Sequence, residues 1–166
     1  MRRLAALAAI ALALPLGACG LHPLYAGGSA APVARGLASV EVSDIQGKAG
    51  WLMRQALSDR MGGAEGAHRY RLDVKLDDRL EGLGVLANDT VSRERRTLRA
   101  RYQLIDTADN SVLLDATDGS DAGIDIVSSE YATVAAEETA LENLTRMVAD
   151  RIATRVALQL RKAPPK

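Results

Sequence analysis

Among 166 residues the 21 basic and 21 acidic side chains cancel. No net charge invites nucleic acid, and four Tyr, one Trp and no Phe leave little for bases to stack on. A single cysteine excludes an intramolecular disulfide, and the length suits one domain with one core.

The chain opens with a short positive head, Met1-Arg2-Arg3, then an apolar run over residues 4–14 that ends at Pro15. This run is too short to cross a bilayer of about 30 Å as a helix, and it predicts a signal peptide over residues 1–18. The only cysteine follows directly, in Leu16-Gly17-Ala18-Cys19. Leu-small-small-Cys resembles the lipobox of bacterial lipoproteins. That resemblance implies cleavage before Cys19, a diacylglycerol on its sulfur and an N-acyl chain on the new amino terminus. No other cofactor is expected. Two or three acyl chains hold a protein stably at a membrane where one does not. Without Arg2 and Arg3 the chain keeps 21 − 2 = 19 basic residues against 21 acidic, a net charge of about −2. Residues 26–36, AGGSAAPVARG, read as the end of a flexible tether over 19–36.

Residues 37–162 then read as a single domain. Over 37–45 the apolar residues alternate, with Val40 and Val42 around Glu41, and predict a strand. Over 48–61 the period changes. Ala49, Leu52, Met53, Ala56, Leu57 and Met61 recur at three and four, which predicts an amphipathic helix stopped by Gly62-Gly63. From His68 the period is two again. His68, Tyr70, Leu72, Val74 and Leu76 share one face, and Arg69, Arg71, Asp73, Lys75 and Asp77 share the other. Residues 79–88 read as a Gly-containing connection.

A third strand is expected over 91–106, with Leu98, Ala100, Tyr102 and Leu104 inward. A turn over 107–111 leads to an antiparallel fourth strand from Val112 to Thr117 or beyond. Residues 131–161 predict a long helix striped by Leu141, Leu144, Val148, Ile152, Val156 and Leu160. Its i,i+4 charge pairs are worth only about 0.2–0.5 kcal/mol each, so the stripe must fix it. Residues 163–166 read as a loose tail. The expected fold is a two-layer α/β (α+β) sandwich in the order β-α-β-β-β-α. Both helices cover one face of a four-stranded mixed sheet, and strands one and two are parallel neighbours.

Two strings carry a resemblance. Cys19-Gly20-Leu21-His22-Pro23-Leu24-Tyr25 resembles the mature start of the LPS-assembly lipoprotein family LptE, whose members often read Cys-Gly-Phe-x-Pro-Leu-Tyr. The helix from Ser128-Ser129-Glu130-Tyr131 through Leu144-Thr145-Arg146-Met147 to Arg155-Val156-Ala157 resembles that family's last helix in its alphaproteobacterial style. The resemblance implies a periplasm-facing outer-membrane lipoprotein with no enzymatic activity. Such a protein plugs the β-barrel LptD, helps assemble it, and binds lipopolysaccharide on its way to the outer leaflet. The alternative is an auxiliary periplasmic lipoprotein of a lipid-transport ABC system.

The candidate contact residues come from parity. Arg93, Arg95, Arg99 and Arg101 share one face of the third strand, with Arg96 as a further nearby charge. Arg69, Arg71 and Lys75 share the polar face of the second. If the two strands pair, one open sheet face gathers guanidinium groups, whose two parallel donors suit phosphate. Three readings stay open: contact with lipopolysaccharide, contact with the barrel wall, or a solvated face on which Asp73, Asp77 and Asp115 pair with the cations. No metal site is expected from His22 and His68, which lie far apart with no thiolate to join them. Glu137-Glu138 and Ser128-Ser129 fit helix-start roles better than catalysis. His68 is expected to pack at the strand start. Trp51 lies on the first predicted helix, as core or at an interface.

Overall fold

The computed structural model describes residues 32–62, 68–85 and 91–162. The expected signal peptide over 1–18, Cys19, the first part of the expected tether and the expected tail over 163–166 lie outside the described residues. The elements are α1 (Pro32–Ala38), β1 (Val40–Val42), α2 (Gly47–Met61), β2 (Tyr70–Val85), β3 (Val91–Asp106), β4 (Val112–Asp125) and α3 (Glu130–Lys162).

The sheet order is β1-β2-β3-β4. β1 runs parallel to β2, with Val40 opposite Tyr70. β2–β3 and β3–β4 are antiparallel. The α2 crossover makes the first pairing parallel, as expected of a strand-helix-strand unit. α2 packs on β1 and β2, and α3 packs on β3, β4 and α2. Both therefore cover one face, and the fold is the expected α+β sandwich.

The core lies between the layers. Leu72, Leu98, Ala100, Tyr102 and Leu104 from the sheet meet Met53 and Leu57 of α2 and Leu144, Val148, Ile152 and Val156 of α3, all fully buried or nearly so. Ala149, Ala153 and Ala157 lie on the buried side of α3 as well. Their small side chains let the neighbouring elements approach closely. Burying a Leu- or Ile-sized side chain contributes about 1.5–3 kcal/mol, so this seam outweighs any surface charge pair.

Three expectations are corrected. Residues 32–36 are not tether but the start of α1. Proline suits the first helical position, and Val33 and Leu37, four apart, are both buried in the main core. The strand expected over 37–45 shrinks to Val40–Val42, because Leu37 belongs to α1 and the chain leaves the sheet after Ser43 N–H donates to the Leu72 carbonyl at 3.1 Å. Residues 79–85 are not loop but a continuation of β2. Their rungs opposite β3 run on through Arg79↔Thr97 and Glu81↔Arg95 to Val85↔Val91. β4 likewise continues past Thr117 to Asp125.

Two glycines are positional. Gly62 ends α2 at φ 86°, and its N–H donates to the Ser58 carbonyl. Gly50, inside α2, is pressed so closely on the Ile45 carbonyl that a Cβ would overlap it.

Candidate functional site

The polar face of the sheet stays open to solvent, because both covering helices sit on the other side. Period two delivers Arg71, Asp73, Lys75, Asp77, Arg79 and Glu81 of β2 to it. β3 delivers Arg93, Arg95, Arg99 and Arg101, and β4 delivers Asp115, Asp121 and Asp125. Register then sets the neighbours. Lys75 stands opposite Arg101, Asp77 opposite Arg99 and Glu81 opposite Arg95. On the other flank Arg93 stands opposite Asp125 and Arg99 opposite Gly119.

Most of these cations are already engaged. Arg93 Nε donates to Asp125 at 2.8 Å. Arg101 forks onto both oxygens of Asp115, at 3.2 and 2.9 Å. Arg79 meets Asp77 at 3.0 Å, Arg71 meets Asp73 at 3.1 Å, and Arg95 lies 3.9 Å from Asp121. The hydrogen bonds from Arg101, and then from Gln103, hold the Asp115 carboxyl below its usual range. The face is thus a lattice of alternating charge rather than a uniformly basic patch.

Lys75 and Arg99 are the exception. Both are exposed, and neither has a carboxylate partner among the described residues. They are diagonal neighbours, since Lys75 faces Arg101 and Arg99 lies two residues before it on the same strand. The carboxylate opposite Arg99, Asp77, is taken by Arg79. Gly119 on β4 leaves room for the Arg99 side chain, whose Cγ comes within 3.0 Å of where a Cβ at Gly119 would stand. Like charges directly opposite on a sheet repel. Lys75 and Arg99 therefore form a locally electropositive spot, beside the paired Arg101, in an otherwise balanced face.

Two of the expected cations go elsewhere. Arg69 sits just before β2, with its guanidinium 5.2 Å from the Tyr70 ring centroid and 3.6 Å from Asp106. Arg96 lies on the helix-covered face, where it binds Asp78 at 2.6 Å and donates to the Glu137 carbonyl at 3.1 Å. Its even number gives it the parity of Leu98 and Ala100. The residues that parity within β2 and β3 alone could not supply are Asp121, Asp125 and Gly119. Their common signal is that Asp115, Gly119, Asp121 and Asp125 share one parity on β4.

The other candidates do not assemble a site. His68 is half-buried, and its shielded Nδ1 has no hydrogen-bond partner in the structure. Among the described residues no cluster of three or more His, Cys, Asp or Glu could hold a metal ion. Trp51 is 65% exposed on α2, so it is a surface residue and not core. Glu138 pairs with Lys48 of α2 at 2.5 Å, and the Ser129 hydroxyl accepts from the Ala132 N–H at 3.4 Å near the start of α3. Among the described residues no helix is long and apolar enough to cross a membrane.

Comparison with solved structures places this architecture among bacterial lipoproteins. A candidate lipoprotein from Caulobacter crescentus CB15 superposes with a TM-score of 0.67 at 21% identity, over 79% of this chain and 97% of that one. The uncharacterized lipoprotein B of Nitrosomonas europaea gives 0.57 at 13% identity, over 74% and 83%. Rare lipoprotein B of Shewanella oneidensis gives 0.51 at 15% identity, over 72% and 92%. At these identities the likeness is one of fold. A search of curated protein sequences returns no match. The family model LptE, described as lipopolysaccharide-assembly, matches residues 37–156, from the end of α1 to the last buried turns of α3. With most of the domain inside that match, this chain belongs to the LptE lipopolysaccharide-assembly family.

Proposed function

We propose that the protein is a non-enzymatic outer-membrane lipoprotein, acylated at Cys19 and facing the periplasm. It plugs and helps assemble the LptD β-barrel, and it binds lipopolysaccharide during transport to the outer leaflet. The open sheet face is the contact surface. Its alternating charges suit the polar interior of a barrel, where a fully charged lattice remains hydrated. Within it, Lys75 and Arg99 receive phosphate, flanked by Arg101.

The observation that carries this reading is the pairing pattern. Cations already bound to carboxylates offer a phosphate little, because each must first give up a partner. Lys75 and Arg99 are free to accept one, and arginine can do so through two parallel donors. The test is binding of purified lipopolysaccharide to the wild type and to the Lys75→Glu/Arg99→Glu variant. A loss of about tenfold or more, with an unchanged melting curve, is the expected result. Arg93→Glu, which only breaks an exposed pair, should change binding far less. Equal binding by wild type and double variant would remove lipopolysaccharide from this face and leave barrel contact as its role.

Affinity purification from membranes in mild detergent separates the two partner readings. A single large β-barrel recovered in stoichiometric amount supports the plug. A transporter ATPase or permease in its place would establish the ABC-auxiliary reading.

A further inference from the structure

β4 ends the sheet, so one of its sides has no strand beside it. The ladder with β3 decides which backbone groups face that side. Ile126 N–H donates to the Ser92 carbonyl at 3.1 Å, which makes 92 and 126 a hydrogen-bonded pair. In an antiparallel ladder such pairs alternate with open ones. The even residues of β4 therefore bond to β3, and the odd residues turn their N–H and C=O groups outward. Arg151 of α3 agrees with this, since its Nη1 reaches the outward Gly119 carbonyl at 2.7 Å.

The outward row is capped at both ends. Arg151 takes the Gly119 carbonyl, and the Val127 N–H donates to the Thr133 hydroxyl at 3.4 Å. Between the caps Asp121, Gly123 and Asp125 are exposed, and their backbone groups have no partner among the described residues. Water serves exposed groups well, so this window alone selects no ligand. Two further features do.

The first is a groove of about 600 Å³ between the β4 edge and α3. Ala122 and Ile124 line its sheet side, and Ala136, Thr139, Asn143 and Met147 line its helix side. These four helix residues recur at three and four and are exposed yet uncharged, although the next row of α3 carries Glu138, Glu142 and Arg146. The second is Gly123. It lacks the left-handed φ of Gly47 and Gly62, and a Cβ there would meet nothing within 4 Å. Neither backbone angle nor packing within the chain calls for glycine. In a strand, glycine costs stability and marks a place where another backbone comes close.

We propose that the β4–α3 groove receives an extended polypeptide segment of the barrel partner, which adds to β4 as a fifth strand across Asp121, Gly123 and Asp125. The inference rests on the plug reading and names the edge that this reading left unassigned. Outward groups on alternate residues repeat about every 6.8 Å, the spacing that another strand matches. The wall strands of a closed barrel already pair with one another, so the segment comes from a loop or terminus of the barrel and not from its wall. Its alternate side chains are small and apolar toward Ala136 and Met147, and polar or basic toward the exposed carboxylates of Asp121 and Asp125.

The experiment compares amide exchange over residues 119–127 in full-length protein in mild detergent, alone and in the complex purified with its barrel. The even amides are already held by β3, so a change reports on 121, 123 and 125. The complex should slow this segment by about tenfold or more. Two variants break the addition by different routes. Gly123→Pro removes an outward N–H that the ladder does not use, a place where a strand tolerates proline. Ala136→Lys/Thr139→Lys sets charge in the groove from exposed helix positions. Each should abolish the slowing, or the recovery of the barrel itself, at an unchanged far-ultraviolet spectrum. Slowing that survives both variants overturns the inference, as does a recovered barrel that leaves the segment exchanging as in the free protein. Slowing produced by lipopolysaccharide without the barrel would assign the groove to acyl chains and overturn it as well. Wild type that recovers no barrel overturns the plug reading, and this occupant with it.

Discussion

The Tyr102 hydroxyl donates to Asp118 Oδ2 at 2.7 Å across the helix-covered face of the sheet. Tyr102 is fully buried, and the Asp118 side chain is only 14% exposed. Burial, and then the bond to Asp118, push the phenol well above its usual range. It therefore stays a neutral donor at every working pH. Arg155 adds a weaker contact to the same carboxylate at 3.7 Å. Tyr102→Phe keeps the ring and removes the donor, leaving Asp118 short of a partner in a site with little water. A destabilisation of about 1–3 kcal/mol follows, read as a lower urea midpoint at unchanged slope.

The Arg96–Asp78 pair tests the difference between the two faces. Its side chains are 16% and 22% exposed, whereas those of Arg93 and Asp125 on the open face are 62% and 72% exposed. Both pairs have close geometry, so solvent screening decides. A double-mutant cycle over Arg96→Ala and Asp78→Ala should give a coupling of about 1.5–3 kcal/mol, the range for charge-assisted hydrogen bonds shielded from water. The same cycle on Arg93 and Asp125 should give about 0.2–1 kcal/mol and lose most of it in high salt.

These two faces also show what could be read from the chain alone. Strand period two sorted Leu72, Leu98, Ala100 and Tyr102 from Arg71, Lys75, Arg99 and Arg101, because a sheet covered on one side demands that alternation. The stripe at three and four located α3 for the same kind of reason. Pairing was not legible. Whether Arg101 meets Asp115 or Lys75 depends on register with β4, which no single strand carries. The continuation of β2 past Asp78 was hidden because Gly82 and Gly84 look like a loop, while the rungs that hold it come from β3. α1 was hidden because AGGSAAPVARG has linker composition. Only the buried Val33 and Leu37 reveal a helix there, and their partners lie more than a hundred residues away on α3.

Gly50 offers a sharp local test. Its φ is ordinary for a helix, so the need for glycine is steric and not conformational. Any Cβ would press into the Ile45 carbonyl, which is backbone and cannot rotate aside. In a free helix alanine would be the better residue by about 1 kcal/mol. Here Gly50→Ala should instead destabilise by about 1–3 kcal/mol, the usual cost of overpacking. Thermal unfolding measures it. A stabilised variant would mean that the segment from Ser43 to Gln46 shifts freely and does not fix where α2 begins.

The helix-covered face also predicts a pH dependence with two signs. Glu94 lies on that face, with the Glu137 carboxyl as its neighbour. Its Oε2 is shielded and has no hydrogen-bond partner in the structure. Burial first, then the charge and hydrogen bonding of Glu137, raise its pKa above 4.5. Arg96, two residues on, would oppose that shift, but its guanidinium is committed to Asp78. A carboxyl with a raised folded pKa contributes its stability in full below the unfolded value and loses it as pH rises through the folded one. Asp150 behaves oppositely. Its bond from Arg60 depresses its pKa below 3.8, so its contribution is present above that value and lost as pH falls. Glu94→Gln mimics the protonated group permanently. Urea melts should show it more stable than wild type at about pH 7 and no more stable at pH values below 4.5. Asp150→Asn should show the reverse, weakened at about pH 7 and converging with wild type in acid. A Glu94→Gln variant with the same offset at both pH values would show that its effect is one of packing and not of charge.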